Sequence, residues 1–170
     1  MRRVALWAVV VMLAGCGYHV GGHAQWMPKT IHTIAVPSFS NGTLRYKLAR
    51  LLPEDIVREL HERTKYAMVA DPNQADAVLK GTLASFNAFP IIFDPASGRA
   101  AGVEVVMTVQ ITLTERATGK VLLTRPALEF RQRYEIASDP QTYFDESGTA
   151  IERVARDASH TIVSTILENF

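Results

Sequence analysis

The chain has 170 residues, 48% hydrophobic, 21% charged and 8% aromatic, with a formal net charge of +1. That length fits one core domain and leaves no room for a second large one. Eighteen basic against seventeen acidic residues give no bulk attraction for nucleic acid, and the composition is far from that of disordered chains.

Met1 to Gly15 (MRRVALWAVVVMLAG) joins two arginines to an apolar run from Val4 to Ala14 and ends in small residues. About eleven apolar residues are too few to cross a bilayer, which takes roughly 20. They fit the apolar region of a secretory signal instead. Leu13-Ala14-Gly15-Cys16 resembles a bacterial lipobox, whose cysteine is acylated and becomes the first mature residue. Cys16 is the only cysteine, so in an oxidising compartment it lacks a disulfide partner. An N-acyl and an S-diacylglycerol group on Cys16 would give it a role as lipid anchor. Gly17, not Asp, follows it, which favours the outer membrane over inner-membrane retention. Without residues 1–15 the balance is 16 basic against 17 acidic. An anionic partner must therefore be met by a local basic cluster.

Residues 16–29 read as a lipidated tether and 30–170 as one α/β domain. Thr30 to Phe39 is rich in β-branched residues and reads as a strand ending near Pro37. Asn41 or Thr43 is placed to cap a helix carrying Leu44, Leu48, Leu51, Leu52, Ile56 and Leu60 at helical spacing. Pro53 inside that pattern predicts a kink or a restart. Tyr66 to Val69 reads as a short strand, and Ala75 to Phe89 as a longer one with Ala77, Leu79, Gly81 and Leu83 on one face. Val103 to Thr114 alternates most clearly: Val103, Val105, Met107, Val109, Ile111 and Leu113 against Glu104, Thr108, Gln110, Thr112 and Thr114. Arg116 to Lys120 is a hairpin loop with Gly119 late. Val121 to Tyr134 returns, and Pro126 inside it predicts an edge strand or a bulge.

Ser138-Asp139-Pro140 offers a cap and a first-turn proline for a helix over 141–168. Gly148 weakens its start, so the rigid part is expected from near Thr149. Ile151, Val154, Ala155, Ala158, Ile162, Ile166 and Leu167 form its apolar stripe. The fold this predicts is α+β, a two-layer sandwich. Two amphipathic helices cover one face of a mixed, mostly antiparallel four-stranded sheet, with room for an extra short strand.

No catalytic constellation emerges. His19, His23, His32, His61 and His160 are scattered, and His19 and His23 lack a third ligand nearby. There is no phosphate-cradling glycine loop and no GxSxG elbow. Asp139, Asp145 and Glu146 suit a helix start better than an acid–base pair. The expectation is a binding or scaffold protein with no catalytic residue, no metal and no cofactor beyond the lipid on Cys16.

The lipobox followed by Gly17-Tyr18-His19-Val20 resembles the start of the LptE family of lipopolysaccharide-assembly lipoproteins. The likeness continues through Thr33-Ile34-Ala35-Val36-Pro37-Ser38-Phe39, Asp76-Ala77-Val78-Leu79-Lys80-Gly81 and Val106-Met107-Thr108-Val109, in the same order of elements. It implies a two-helix, four-stranded sandwich inside a large outer-membrane β-barrel of the LptD type. It also implies a part in assembling that barrel and delivering lipopolysaccharide to the outer leaflet. The Thr/Gln-rich strand face suits a wet barrel lumen and equally suits the solvated face of an antiparallel sheet.

Lipopolysaccharide carries phosphates, so a site for it needs grouped cations. A meander of the three long strands brings the 90–102 and 135–139 loops to one end. That end collects Arg99, Arg131 and Arg133, while Arg116 and Lys120 fall at the other. These three arginines are the candidate lipopolysaccharide site, against a plain solvated face with Glu129 and Glu135 as partners. Pro90-Ile91-Ile92-Phe93 is read either as a surface for barrel wall or acyl chains, or as a strand end buried under a helix. Ala137-Ser138-Asp139 lacks the basic residue that members of the resembled family can place there. The alternative function is an auxiliary lipoprotein of a periplasmic ABC-type lipid or solute transport system.

Overall fold

The computed structural model describes residues 26–136 and 147–168. The signal and Cys16, most of the tether, and the Ser138-Asp139-Pro140 cap lie outside the described residues. The elements run β1 (Thr33–Ala35), β2 (Ser40–Asn41), α1 (Tyr46–Arg63), β3 (Ala67–Met68), a 3₁₀ turn (Pro72–Gln74), β4 (Ala77–Phe93), β5 (Ala100–Glu115), β6 (Val121–Glu135) and α2 (Ser147–Glu168).

The sheet has six strands, not four. Its order is β3-β1-β4-β5-β6, with β2 also paired to β4. The short strands β1, β2 and β3 pair in parallel, and β4, β5 and β6 form an antiparallel meander. The expected first strand over 30–39 thus shrinks to Thr33–Ala35, with Pro37 between it and β2. The strand expected over 75–89 instead runs on to Phe93. Pro90 is tolerated because β1 and β2 pair only with the first half of β4, leaving the second half an edge.

Both helices lie on one face of the sheet and close the main core, with a small second cluster of Ala35, Ala75 and Val78 apart from it. Leu48, Leu52, Ile56 and Leu60 come from α1, Val154, Ala155, Ala158, Ile162 and Ile166 from α2, and Leu79, Leu83, Met107, Val109, Ile111 and Leu113 from the sheet. The predicted alternation of β5 is the burial pattern observed. Of the kink or restart expected at Pro53, the restart does not occur: the helix is continuous from Tyr46 to Arg63. The proline ring is buried beside Leu52 and Ile56, which offsets the backbone bond it forgoes. Leu44 lies before the helix and is 87% exposed. Asn41 and Thr43 stabilise the approach instead of the helix end: Asn41 Oδ1 accepts from Thr43 N at 2.9 Å and Thr43 Oγ1 from Arg45 N at 3.0 Å. No side chain caps α1 at Arg45.

Pro126 brings both of the alternatives it predicted. β6 is an edge strand, and its register against β5 slips between Val109↔Leu128 and Ile111↔Arg125, leaving one extra residue on β6. The slip explains why Leu123 and Phe130 are both buried although seven residues apart. A similar slip in β4 between Leu83 and Ser85 transfers the inner face from odd to even positions. Trp26 Nε1 donates to the Ile166 carbonyl at 2.9 Å, fixing the first described residue to the last turn of α2.

Candidate functional site

The outer face of β5 and β6 carries polar side chains that no described element covers. The slip at Pro126 sets its chemistry. Beyond it Glu104 pairs with Arg133 and Val106 with Arg131. An unbroken register would have placed Gln132 opposite Glu104 and turned the two arginines to the core side.

Glu104 sits toward one end of this face and pairs with both arginines, its side chain only 14% exposed. Its Oε1 accepts from Arg133 Nε at 2.9 Å and its Oε2 from Arg131 Nη1 at 3.3 Å. Arg131 also donates through Nε and Nη2 to Glu129 Oε1, at 2.9 and 2.6 Å. The Arg133 guanidinium, joined by Arg131, holds the Glu104 carboxyl below the usual glutamate range. Glu129, and then Glu104, keep Arg131 still more firmly protonated than a free arginine. Two cations and two carboxylates thus form a neutral ladder with exposed guanidinium faces. The carboxylate partners are Glu104 and Glu129, where the sequence suggested Glu129 and Glu135.

Arg99 lies at the same end but outside this ladder. The expected 90–102 loop is a tight turn over 94–99 between β4 and β5, closed by Asp94. Asp94 Oδ1 accepts from Ala96 N, Ser97 N and Ser97 Oγ at 3.0, 2.7 and 2.8 Å, and Asp94 N donates to the Arg99 carbonyl at 2.8 Å. Gly98 supplies the left-handed residue the turn needs, with φ +66°. The Ser97 bonds hold the Asp94 carboxyl below its usual range. Five strand positions separate Arg99 from Glu104, or about 16 Å at ~3.3 Å each. Arg131 and Arg133 are brought together, and Arg99 is a separate cation at the turn.

Pro90 to Phe93 is a strand end, but an exposed one. Phe89, Ile91, Ile92 and Phe93 are 51%, 39%, 53% and 59% exposed. Four large apolar side chains within five residues make an unusual surface for a soluble face. Where this strand end meets the sheet and α2, an open groove of about 630 Å³ is lined by Ile91, Ile92, Gly102, Glu104, Arg133, Tyr134, Glu135 and Arg153. Sequence reasoning missed Arg153, because nothing local to α2 says which strand end its polar face will meet. Among the described residues no three His, Cys, Asp or Glu side chains gather into a metal site. Among the same residues, no helix is long and apolar enough to cross a membrane.

Two helices on one face of a mixed sheet is an architecture this chain shares with solved bacterial structures, lipoproteins among them. Lipoprotein B from Nitrosomonas europaea is similar with a TM-score of 0.61 at 14% identity, over 89% of this chain and 90% of that one. The rare lipoprotein B from Shewanella oneidensis gives 0.50 at 20% identity, over 77% and 92%. The PelC dodecamer from Paraburkholderia phytofirmans gives 0.51 at 16% identity, over 81% and 88%. At such identities the likeness is one of fold. No curated protein matches the sequence. The family model described as LptE, lipopolysaccharide-assembly, matches residues 31–166, and the chain belongs to that family.

Proposed function

We propose that this chain is a lipoprotein of the outer membrane, acylated on Cys16, that partners an LptD-type β-barrel and binds lipopolysaccharide during its assembly at the cell surface. The observation that carries this reading is the family match, which spans every described strand, all of α1 and nearly all of α2. The sheet supports it in two ways. Its outer face is polar and uncovered by any described element, as a wall-facing surface in a wet lumen needs to be. Its far end exposes Arg131 and Arg133 in one ladder, with Arg99 at the adjoining turn and an apolar strand end alongside. Phosphates would engage the guanidinium faces, and acyl chains the strand end. The protein acts by binding and scaffolding, without a catalytic residue.

Affinity capture of the acylated protein from detergent-solubilised outer membranes, with partners identified by mass, tests the reading. A large β-barrel in stoichiometric amount is expected. Recovery of an inner-membrane transporter without a barrel would replace it with the transport-auxiliary role. Changing Arg99, Arg131 and Arg133 together to Ala should weaken lipopolysaccharide binding while leaving circular dichroism unchanged. Undiminished binding by the folded triple variant would remove the site.

A further inference from the structure

We propose that the open edge of β4 from Phe86 to Pro90 is a pairing surface for a second copy of this chain, and that Pro90 holds it shut.

β1 and β2 use this edge of β4 only as far as Leu83, and no described element pairs with it beyond that point. Gly42 N donates to the Leu83 carbonyl at 2.9 Å, so the backbone groups of Leu83 point to the edge. The extra residue at Ala84 then shifts the alternation by one. Phe86, Ala88 and Pro90 therefore turn their backbone groups outward, while those of Asn87 and Phe89 face β5. The ladder to β5 needs no donor from Pro90. An incoming strand would need one there, and a proline has none to give.

The occupant that fits is the same strand, antiparallel across a twofold axis. Residues 87–93 are exposed on both faces, so no described helix stands in the way of a second sheet. Ser85 to Phe93 carries no charged side chain, and two copies meet there without repulsion. The β6 edge differs, because Arg125, Glu129, Arg131 and Arg133 and the slip at Pro126 already spoil it. With Ala88 opposite its own copy, Phe86 faces Pro90 of the second copy. The Ala88 groups then pair fully, and the Phe86 N–H meets the Pro90 carbonyl. The Phe86 carbonyl, on both sides of the axis, meets a pyrrolidine Cδ instead of a donor. Pro90 alone blocks an edge that is otherwise apolar and self-complementary.

Disulfide cross-linking tests this on the full chain, acylated at Cys16, in nonionic detergent. A88C puts a thiol on the axis, where the Cα atoms of a bonded antiparallel pair stand about 5.5 Å apart, within disulfide reach. Cys16 is the only native cysteine, so the parent chain serves as the blank. Mild oxidation is expected to give little dimer from A88C and about tenfold more from A88C/P90V, the scale of a regained pair of hydrogen bonds. Sedimentation without oxidation should show the parent protein monomeric and P90V in a concentration-dependent dimer equilibrium. A88P/P90V should be monomeric again, because the Ala88 N–H also faces the edge. Equal cross-linking of A88C and A88C/P90V would overturn the proposal: both high means that Pro90 blocks nothing, both low that the edge does not pair. A P90V chain without native circular dichroism would overturn it as well, since position 90 would then serve the ladder to β5. Association of P90V that A88P does not reverse would place the contact elsewhere and remove this edge.

Discussion

Arg133 Nε lies 2.9 Å from Glu104 Oε1 across a strand pair whose register is displaced by one residue at Pro126. The carboxylate thereby occupies both guanidiniums that the proposed function assigns to phosphate. Glu104→Gln removes the negative charge and keeps an acceptor. Lipopolysaccharide binding is expected to tighten and to become more salt-dependent, since two cations lose their internal counter-ion. The depressed Glu104 carboxyl supports the native state above the ordinary glutamate pKa and loses that support as pH falls through its lowered native value. Binding measured in low and high salt decides this; an unchanged affinity at low salt would show that Glu104 does not compete with the ligand.

Deleting Ala127 should remove the extra residue on β6 and restore an unbroken register. Every residue beyond it would then change faces, turning Arg131 and Arg133 toward the helices and Phe130 toward water. Burying two unpaired guanidiniums is far too costly to tolerate, so the variant is expected to be unfolded or recovered only as aggregate. A folded, monomeric deletion variant with native circular dichroism would show that the sheet can relocate the slip.

How much of this was legible in the sequence follows from which interactions are local. β5 announced itself because both of its faces are long and its burial alternates without a break through Leu113. The apolar stripe of α2 did so for the same reason at helical spacing. The parallel pairs were hidden: β1, β2 and β3 hold two or three residues each, too few for a periodic signal, and their partners lie far along the chain. Pro90 looked like an end because sequence does not reveal that half of β4 has a free edge. Arg131 and Arg133 could be grouped from alternation alone. Their partner Glu104 required knowing the slip at Pro126, and Arg153 required knowing where α2 crosses the sheet.

Gly81 faces the core, and the Phe39 ring occupies the place where its side chain would stand. Phe39 is itself buried at 5% exposure, so the ring has little room to move away. Gly81→Ala is therefore an overpacking change, expected to cost about 1–3 kcal/mol. Urea unfolding reads this directly. Phe39→Leu in the same chain should recover part of the loss, and a G81A variant as stable as the parent would mean that β4 and the 36–41 segment separate easily.

Asp76 joins the start of β4 to β1 from a single carboxylate. Its Oδ2 accepts from His32 N at 2.9 Å and Thr33 N at 3.0 Å, while its own N–H donates to Thr33 Oγ1 at 2.8 Å. Its carbonyl accepts from Arg116 N at 2.8 Å, so the β5–β6 turn is secured to the same residue. The His32 amide first, then the Thr33 hydroxyl and amide, hold the carboxyl below its ordinary range. A carboxylate with a lowered native pKa stabilises the fold fully above its unfolded value, about 3.9. That contribution fades as pH falls through the native value. Asp76→Ala should cost roughly 1.5 kcal/mol at neutral pH, the scale of a hydrogen bond to a charged group. The loss should shrink as pH is lowered, because the parent protein forfeits the same bonds on protonation. Urea midpoints of parent and variant across the acid limb test this: curves that stay parallel down to about pH 2 would place the acid sensitivity at other carboxylates.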